Sequence, residues 1–90
     1  MEKIRVLDDL TQFQTYAKNI DLTFNQYLLA GKDPLLVHTG DRELGGQLVH
    51  EVASALAGRP LSYIFISHFE SDECGSLPLW LQRFPAVKVL

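Results

Sequence analysis

"YIFISHFESDECG", residues 63–75, decides how this chain reads. It opens apolar and closes polar, with a histidine, two glutamates, an aspartate and a cysteine between positions 68 and 74. Taken back to "LSYIFIS" (61–67), the first part is a nearly continuous apolar strand, the pattern of a central strand covered on both faces. Sites in open α/β sheets lie outside the carboxyl ends of strands, and the polar run stands at that place. In extended backbone the side chains at i, i+2 and i+4 point the same way. His68, Glu70 and Asp72 then converge on one volume while Phe69 and Ser71 point away. An imidazole with two carboxylates suits iron, zinc or manganese, whereas thiolates would favour softer metals. The competing reading is a solvated acidic turn, because polar loops produce such strings by chance. A carboxylate pair for glycosidase-type acid/base work is a third reading, and nothing around the run suggests a sugar-stacking cleft.

The flanking sequence supplies the sheet. "KIRVL" (3–7) alternates as a strand does. "DLTQFQTYAKN" (9–19) is mixed and reads as loop or short helix. "LTFNQYLLA" (22–30) and "LLVHT" (35–39) are strands joined by the turn "GKDP" (31–34), in which Gly is conformationally permissive and Pro fixes the exit. Asp41 is placed to cap a helix over 42–57. There Leu44, Leu48, Val52 and Leu56 fall four apart, and Val49 and Ala53 widen the stripe. Gly45 and Gly46 either weaken the first turns of that helix or allow close packing there. Gly58 and Pro60 end it. Ser76 is placed to cap a short helix over 77–84 that Pro85 terminates. "AVKVL" (86–90) is a further strand, and its edge invites pairing. The order is hairpin, helix, strand, loop, helix, strand, an α/β (α+β) arrangement.

Ninety residues fit one small domain, with no second domain. Hydrophobic residues make up 47% and charged residues 21%, an ordinary globular balance rather than a disordered one. The net charge of -3, with no Lys/Arg stripe, argues against nucleic acid as a partner. No stretch reaches membrane-spanning length and the N-terminus lacks a signal-peptide pattern. The single cysteine excludes an internal disulfide and points to a reducing cytoplasm. No repeat or low-complexity tract is present.

Other chemistry-bearing residues have bland readings beside their sharp ones. Cys74 could sense oxidation, but reads better as a small buried residue at a helix approach. His50, beside Glu51 and off the leucine stripe, is a surface residue. His38 is a strand-end histidine that can lie near the polar run. Trp80, with Leu77, Leu81 and Phe84, is core packing. "GDRELGG" (40–46) lacks the lysine and the spacing of a phosphate loop.

"LTFNQYLLAGKDPLLVHTG", then a helix, then "YIFISHFESDECG" resembles the N-terminal part of a metallo-β-lactamase-fold domain. Within that superfamily it is most similar to the flavodiiron proteins and the oxygen-binding diiron proteins. The zinc hydrolases carry H-x-H-x-D-H in this loop, and the diiron branch carries H-x-E-x-D, as here. The resemblance implies an αββα sandwich of two similar halves, of which this chain matches the first. It implies that His68 and Glu70 bind a first iron and Asp72 a second. Glu73 stands where the hydrolases place a histidine and receives no ligand role. His38 stands where many members have Asp and matches no ligand.

The family's second half supplies two more histidines and a bridging carboxylate, which these residues lack, as they lack a flavin-binding segment. The expectation is therefore the first portion of a diiron protein that binds or reduces O2 or NO, incomplete and inactive alone. As an enzyme it would be an oxidoreductase only when completed, by missing sequence or by a partner copy. Iron is the implied cofactor and zinc the competing one. A homodimer or a redox partner is the expected association. The alternatives are a metal-dependent hydrolase of the same fold, against which Glu70 argues, and a non-catalytic remnant acting by association.

Overall fold

The computed structural model describes residues 1–67 and 74–90. Among them are six strands and two helices. The elements run β1 (Glu2–Leu7), β2 (Leu10–Ala17), β3 (Leu22–Leu29), β4 (Leu35–Val37), α1 (Arg42–Leu56), β5 (Tyr63–Phe65), α2 (Leu77–Arg83) and β6 (Lys88–Val89). They form one mixed sheet in chain order, β1-β2-β3-β4-β5-β6. The first four strands pair antiparallel, and β4-β5 and β5-β6 pair parallel. Parallel neighbours need long crossovers, and α1 and α2 are parts of the two here. Right-handed crossovers that step the same way along a sheet put both helices on one face.

That face holds the core. Opposed residues share a face, and a strand's side chains alternate. The registered row Leu28, Leu36 and Ile64 therefore points to the helices, and all three are buried. Leu48, Val52 and Leu56 of α1 and Trp80 and Phe84 of α2 close over them in a single cluster with Phe13. The expected stripe on α1 is thus the buried one, and Trp80 is fully buried core, 0% exposed.

The opposite face differs. Tyr27, Val37 and Phe65 form one registered row there, and Leu29, Leu35 and Tyr63 the next. Leu29 and Phe65 are about 40% exposed (41% and 42%). On this face the four interior strands carry no charged residue; Glu2 and Lys88, on the edge strands, are its charges. The expectation that β5 is covered on both faces is corrected: Ile64 is buried and its neighbour Phe65 is not. The paired part of β5 is also shorter than 61–67, because β4 offers it only three partners, although Leu61 and Ile66 are buried without pairing.

A second correction concerns 9–19, which is the long strand β2 and not a loop or helix. It pairs with β3 along its whole length, from Leu10↔Leu29 to Ala17↔Leu22. Thr11, Phe13 and Thr15 alternate with Gln12, Gln14 and Tyr16, a period of two whose apolar contrast is diluted by threonine and glutamine. Gln12 donates to Asn25 across the strands at 2.7 Å. At the far end of this hairpin the Tyr16 phenol donates to the Asp21 carboxylate. That hydrogen bond, with a lesser contribution from desolvation, raises the phenol pKa above its ordinary value of 10.0.

The boundaries of α1 follow their signals. The Asp41 carboxylate accepts the Leu44 N–H at 2.7 Å, the expected N-cap. At the other end Ala57 turns left-handed (φ 53°), its N–H reaching Ala53 O and Ser54 O, and Gly58 follows at φ 89°. The Arg59 guanidinium then bonds the carbonyls of Ala30, Gly31 and Lys32, fastening the β3–β4 turn beneath the helix.

The two glycines of α1 separate cleanly. A Cβ on Gly45 would lie 2.1 Å from Ser76 Cβ and 2.3 Å from its Oγ, whereas one on Gly46 meets nothing within 4 Å. Gly45→Ala is expected to destabilise the fold by about 1–3 kcal/mol through forced displacement of the helix or of Ser76. Gly46→Ala is expected to stabilise it by about 0.5–1 kcal/mol through reduced backbone entropy. Urea unfolding midpoints of the two variants check this, and equal shifts of one sign would contradict it.

Candidate metal centre

Strands β4 and β5 end side by side, and the candidate site begins at their carboxyl ends. The last ladder pair is Val37↔Phe65. One step further the His38 N–H still reaches Phe65 O at 2.9 Å. There β4 stops, because His38 takes φ 68°, the left-handed region. For a residue with a Cβ this costs on the order of 1–3 kcal/mol and persists only where the surroundings hold it. Ser67 lies across from it: Ser67 Oγ is 2.8 Å from His38 Nε2, and the Ser67 N–H points to the same nitrogen at 3.5 Å. Residues 39–41 then lead into α1, through buried Thr39 and through Gly40 at φ 79°.

The far side of this edge is built by Ser76. Its hydroxyl lies 2.7 Å from Thr39 O and 3.0 Å from Gly40 O, and its backbone N–H reaches Gly40 O at 3.1 Å. The same oxygen accepts the Trp80 indole N–H at 3.2 Å. Ser76 was expected to cap α2 through its side chain. It makes no such bond, because its hydroxyl is committed to the loop before α1. Cys74 is half-buried and packs against the core, the bland reading given above. His50 is exposed on α1, as expected.

Ser67 and Cys74 thus bracket the polar run. His68, Glu70 and Asp72, the three candidate ligands, lie outside the described residues, and so does Glu73. Among the described residues no three His, Cys, Asp or Glu side chains are grouped to hold a metal, and no helix is long and apolar enough to cross a membrane. His38 lies within the described residues, at the strand end beside Ser67. Sequence reasoning did not single out Ser67 and gave Ser76 only as a helix cap; a hydroxyl that bonds a carbonyl 37 residues away leaves no local signature. A cleft of about 360 Å³ lies nearby, between the β2–β3 hairpin and the first turn of α1, lined by Lys18, Asp41 and Glu43 among others. Its Asp41 is occupied as the helix cap, and His38 and Ser67 do not line it.

Ser76→Ala is expected to cost about 1–3 kcal/mol, because it removes the hydroxyl's bonds to the loop carbonyls and the acceptor of the buried Trp80 indole N–H. The loss should be smaller in a Trp80→Phe background, where one of those groups is gone. Denaturant unfolding of the single and double variants checks this, and full additivity would contradict it.

Comparison with known proteins gives these surroundings a lineage. No protein-family model matches the chain. It is 30% identical over 67 residues to the rubredoxin-oxygen oxidoreductase of Megalodesulfovibrio gigas, a match covering 74% of this chain and 17% of that protein. It is 24% identical over 67 residues to the anaerobic nitric oxide reductase flavorubredoxin of Aliivibrio salmonicida, covering 74% of this chain and 13% of the relative. The chain therefore spans less than a fifth of the length of either relative. Among solved structures, rubredoxin oxygen:oxidoreductase from Desulfovibrio gigas superposes with a TM-score of 0.84 at 23% identity, over 98% of this chain and 25% of that one. A metallo-β-lactamase from Cronobacter sakazakii superposes with a TM-score of 0.75 at 17% identity, over 99% of this chain and 33% of that one. The sheet and its two helices thus have the metallo-β-lactamase fold over the portion this chain spans, and the homologues it matches include flavodiiron proteins.

Proposed function

We propose that these ninety residues form the N-terminal share of a non-haem diiron centre that binds or reduces O2 or NO. One observation carries the reading. The string H-x-E-x-D begins directly after Ser67, at the carboxyl edge of a parallel strand pair, in a chain whose homologues include an oxygen oxidoreductase and a nitric oxide reductase. By that resemblance His68 and Glu70 hold the first iron and Asp72 the second. The donor chemistry fits the metal: imidazole and carboxylate are ligands for ferrous iron, and no thiolate competes among the three. Bound iron would supply open positions for a diatomic ligand and the electrons to reduce it.

The chain's own residues supply the frame. His38 and Ser67 meet beyond the carboxyl ends of β4 and β5, and Ser76 bonds the loop before α1. Three side chains do not fill two coordination spheres. Water, or donors from outside these ninety residues, would complete the set, and these residues alone would bind metal without turnover. The outer face of the four interior strands, which carries no charged residue, agrees with this division, since the second sheet of an αββα sandwich would lie against it. A redox partner would deliver the electrons, and the lone cysteine accords with a reducing cytoplasm.

The test is elemental analysis of protein purified anaerobically with ferrous iron. Stoichiometric iron is expected, lost in the His68→Ala/Asp72→Ala double variant. Zinc in its place would turn the reading to a hydrolase, and no metal above the double variant would end it. Glu70→His gives the loop the second imidazole of the hydrolases, and is expected to shift the bound metal from iron toward zinc.

A further inference from the structure

We propose that a second copy of this chain covers the outer face of the sheet, on a two-fold axis that runs parallel to the strands. The proposal starts from what that face carries. Gln12, Tyr27, Val37 and Phe65 form one row across the interior strands, and Leu10, Leu29, Leu35 and Tyr63 the next. All three tyrosines of the chain stand on it, with Tyr16 toward the end of the β2–β3 hairpin. Tyrosine and phenylalanine are enriched where proteins meet, because they bury large area at little cost in side-chain freedom. The amides do not depend on water either, since Gln12 donates to Asn25 within the face.

Charge selects the occupant and its orientation. The four interior strands, which a partner would cover most deeply, carry no charge on this face. The face can therefore lie on its own copy without burying an ion. Its two charges have opposite signs and stand on opposite edges, Glu2 on β1 and Lys88 on β6. A two-fold axis running across the strands lays β1 over β1 and β6 over β6, so that like charges share an edge. An axis running along the strands lays β1 of one copy over β6 of the other, and each edge joins a carboxylate to an ammonium. Complementarity favours the second. That axis also brings the carboxyl ends of β4 and β5 of both copies to one end of the assembly.

The area is sufficient. Six strands about 4.8 Å apart make a face about 29 Å wide. At about 3.4 Å a residue it is about 27 Å long along β2 and β3 and about 10 Å along β4 and β5. In flat projection each copy offers roughly 500 Å² and the pair roughly 1,000 Å², the size at which specific interfaces begin. The association does not depend on bound metal, so it stands apart from the diiron reading.

Sedimentation equilibrium of the full, metal-free chain is expected to show a dimer at micromolar concentration. Phe65→Glu and Leu29→Glu each place a charge inside the contact, twice over by symmetry, and should weaken the dimer at least about 100-fold. Leu81→Glu, on α2 and about as exposed (43%), should leave it unchanged. Emission from Trp80, buried on the other face, reports that each variant is folded. Glu2→Lys and Lys88→Glu should each weaken the dimer about two- to fivefold at low salt, and together restore it. A monomer throughout the micromolar range, or a dimer indifferent to Phe65→Glu and Leu29→Glu, would overturn the proposal; the latter would place the contact at a sheet edge. Single charge reversals without effect, or a double variant weaker than either single one, would overturn the axis.

Discussion

The fit of Ser76 against Gly45 is the constraint on which the rest of the architecture depends. Ser76 reaches two carbonyls of the loop before α1 and accepts the indole N–H from the first full turn of α2. It can do so only because α1 comes in with a bare α-carbon at position 45, where a methyl group would overlap the serine. The first crossover is thereby locked to the second. Both helices must seat on the sheet together, and the cluster of Leu48, Val52, Trp80 and Phe84 over Leu36 and Ile64 is the result. A buried hydroxyl with several partners is costly to disturb, because each partner it loses becomes an unsatisfied buried group.

The same corner determines what the carboxyl edge of the sheet can do. Strands β4 and β5 are only three residues long, so the chain leaves the ladder early and must be held by other means. Ser76 holds the loop after β4, and His38 meets Ser67 two residues beyond β5. Neither contact is a repeat of regular secondary structure. Each is a side chain doing the work of a missing backbone partner.

Much of this was legible in the residues, and the exceptions have physical reasons. Helix α1 was readable because three independent signals coincide: a four-residue apolar repeat, Asp41 before it and Gly58 after it. Strand β2 was not, because its inner face is threonine on either side of Phe13 and its outer face is glutamine beside Tyr16, so alternation is present while hydrophobic contrast is weak. The ambiguity at Gly45 and Gly46 could not be resolved locally. Two adjacent glycines look alike until the partner at Ser76, some 30 residues on, is in place. The ligand string stood out as chemistry, with His68, Glu70 and Asp72 outside the described residues. What the structure adds is the frame, in His38, Ser67 and Ser76, and hydrogen bonds between positions 29 and 37 residues apart leave no periodic trace.

The two faces of the sheet differ in kind. A face destined for water ordinarily alternates polar and charged residues with the apolar ones beneath. Here the outer face of the four interior strands has valine, leucine, tyrosine and phenylalanine in register, and where polarity enters it comes as threonine and amides such as Gln12 and Asn25, paired to each other. Paired amides can be covered at little cost, whereas a charge cannot. Leaving Leu29 and Phe65 about 40% exposed (41% and 42%) forgoes roughly 25 cal/mol for each Å² of apolar surface that a covering layer would remove from water. The composition of this face is therefore that of an interior surface. Under the diiron reading the covering layer is also the source of the missing donors. Burial of the outer face and completion of the ligand set would then be one event, coupling the folding of the whole domain to its ability to hold metal.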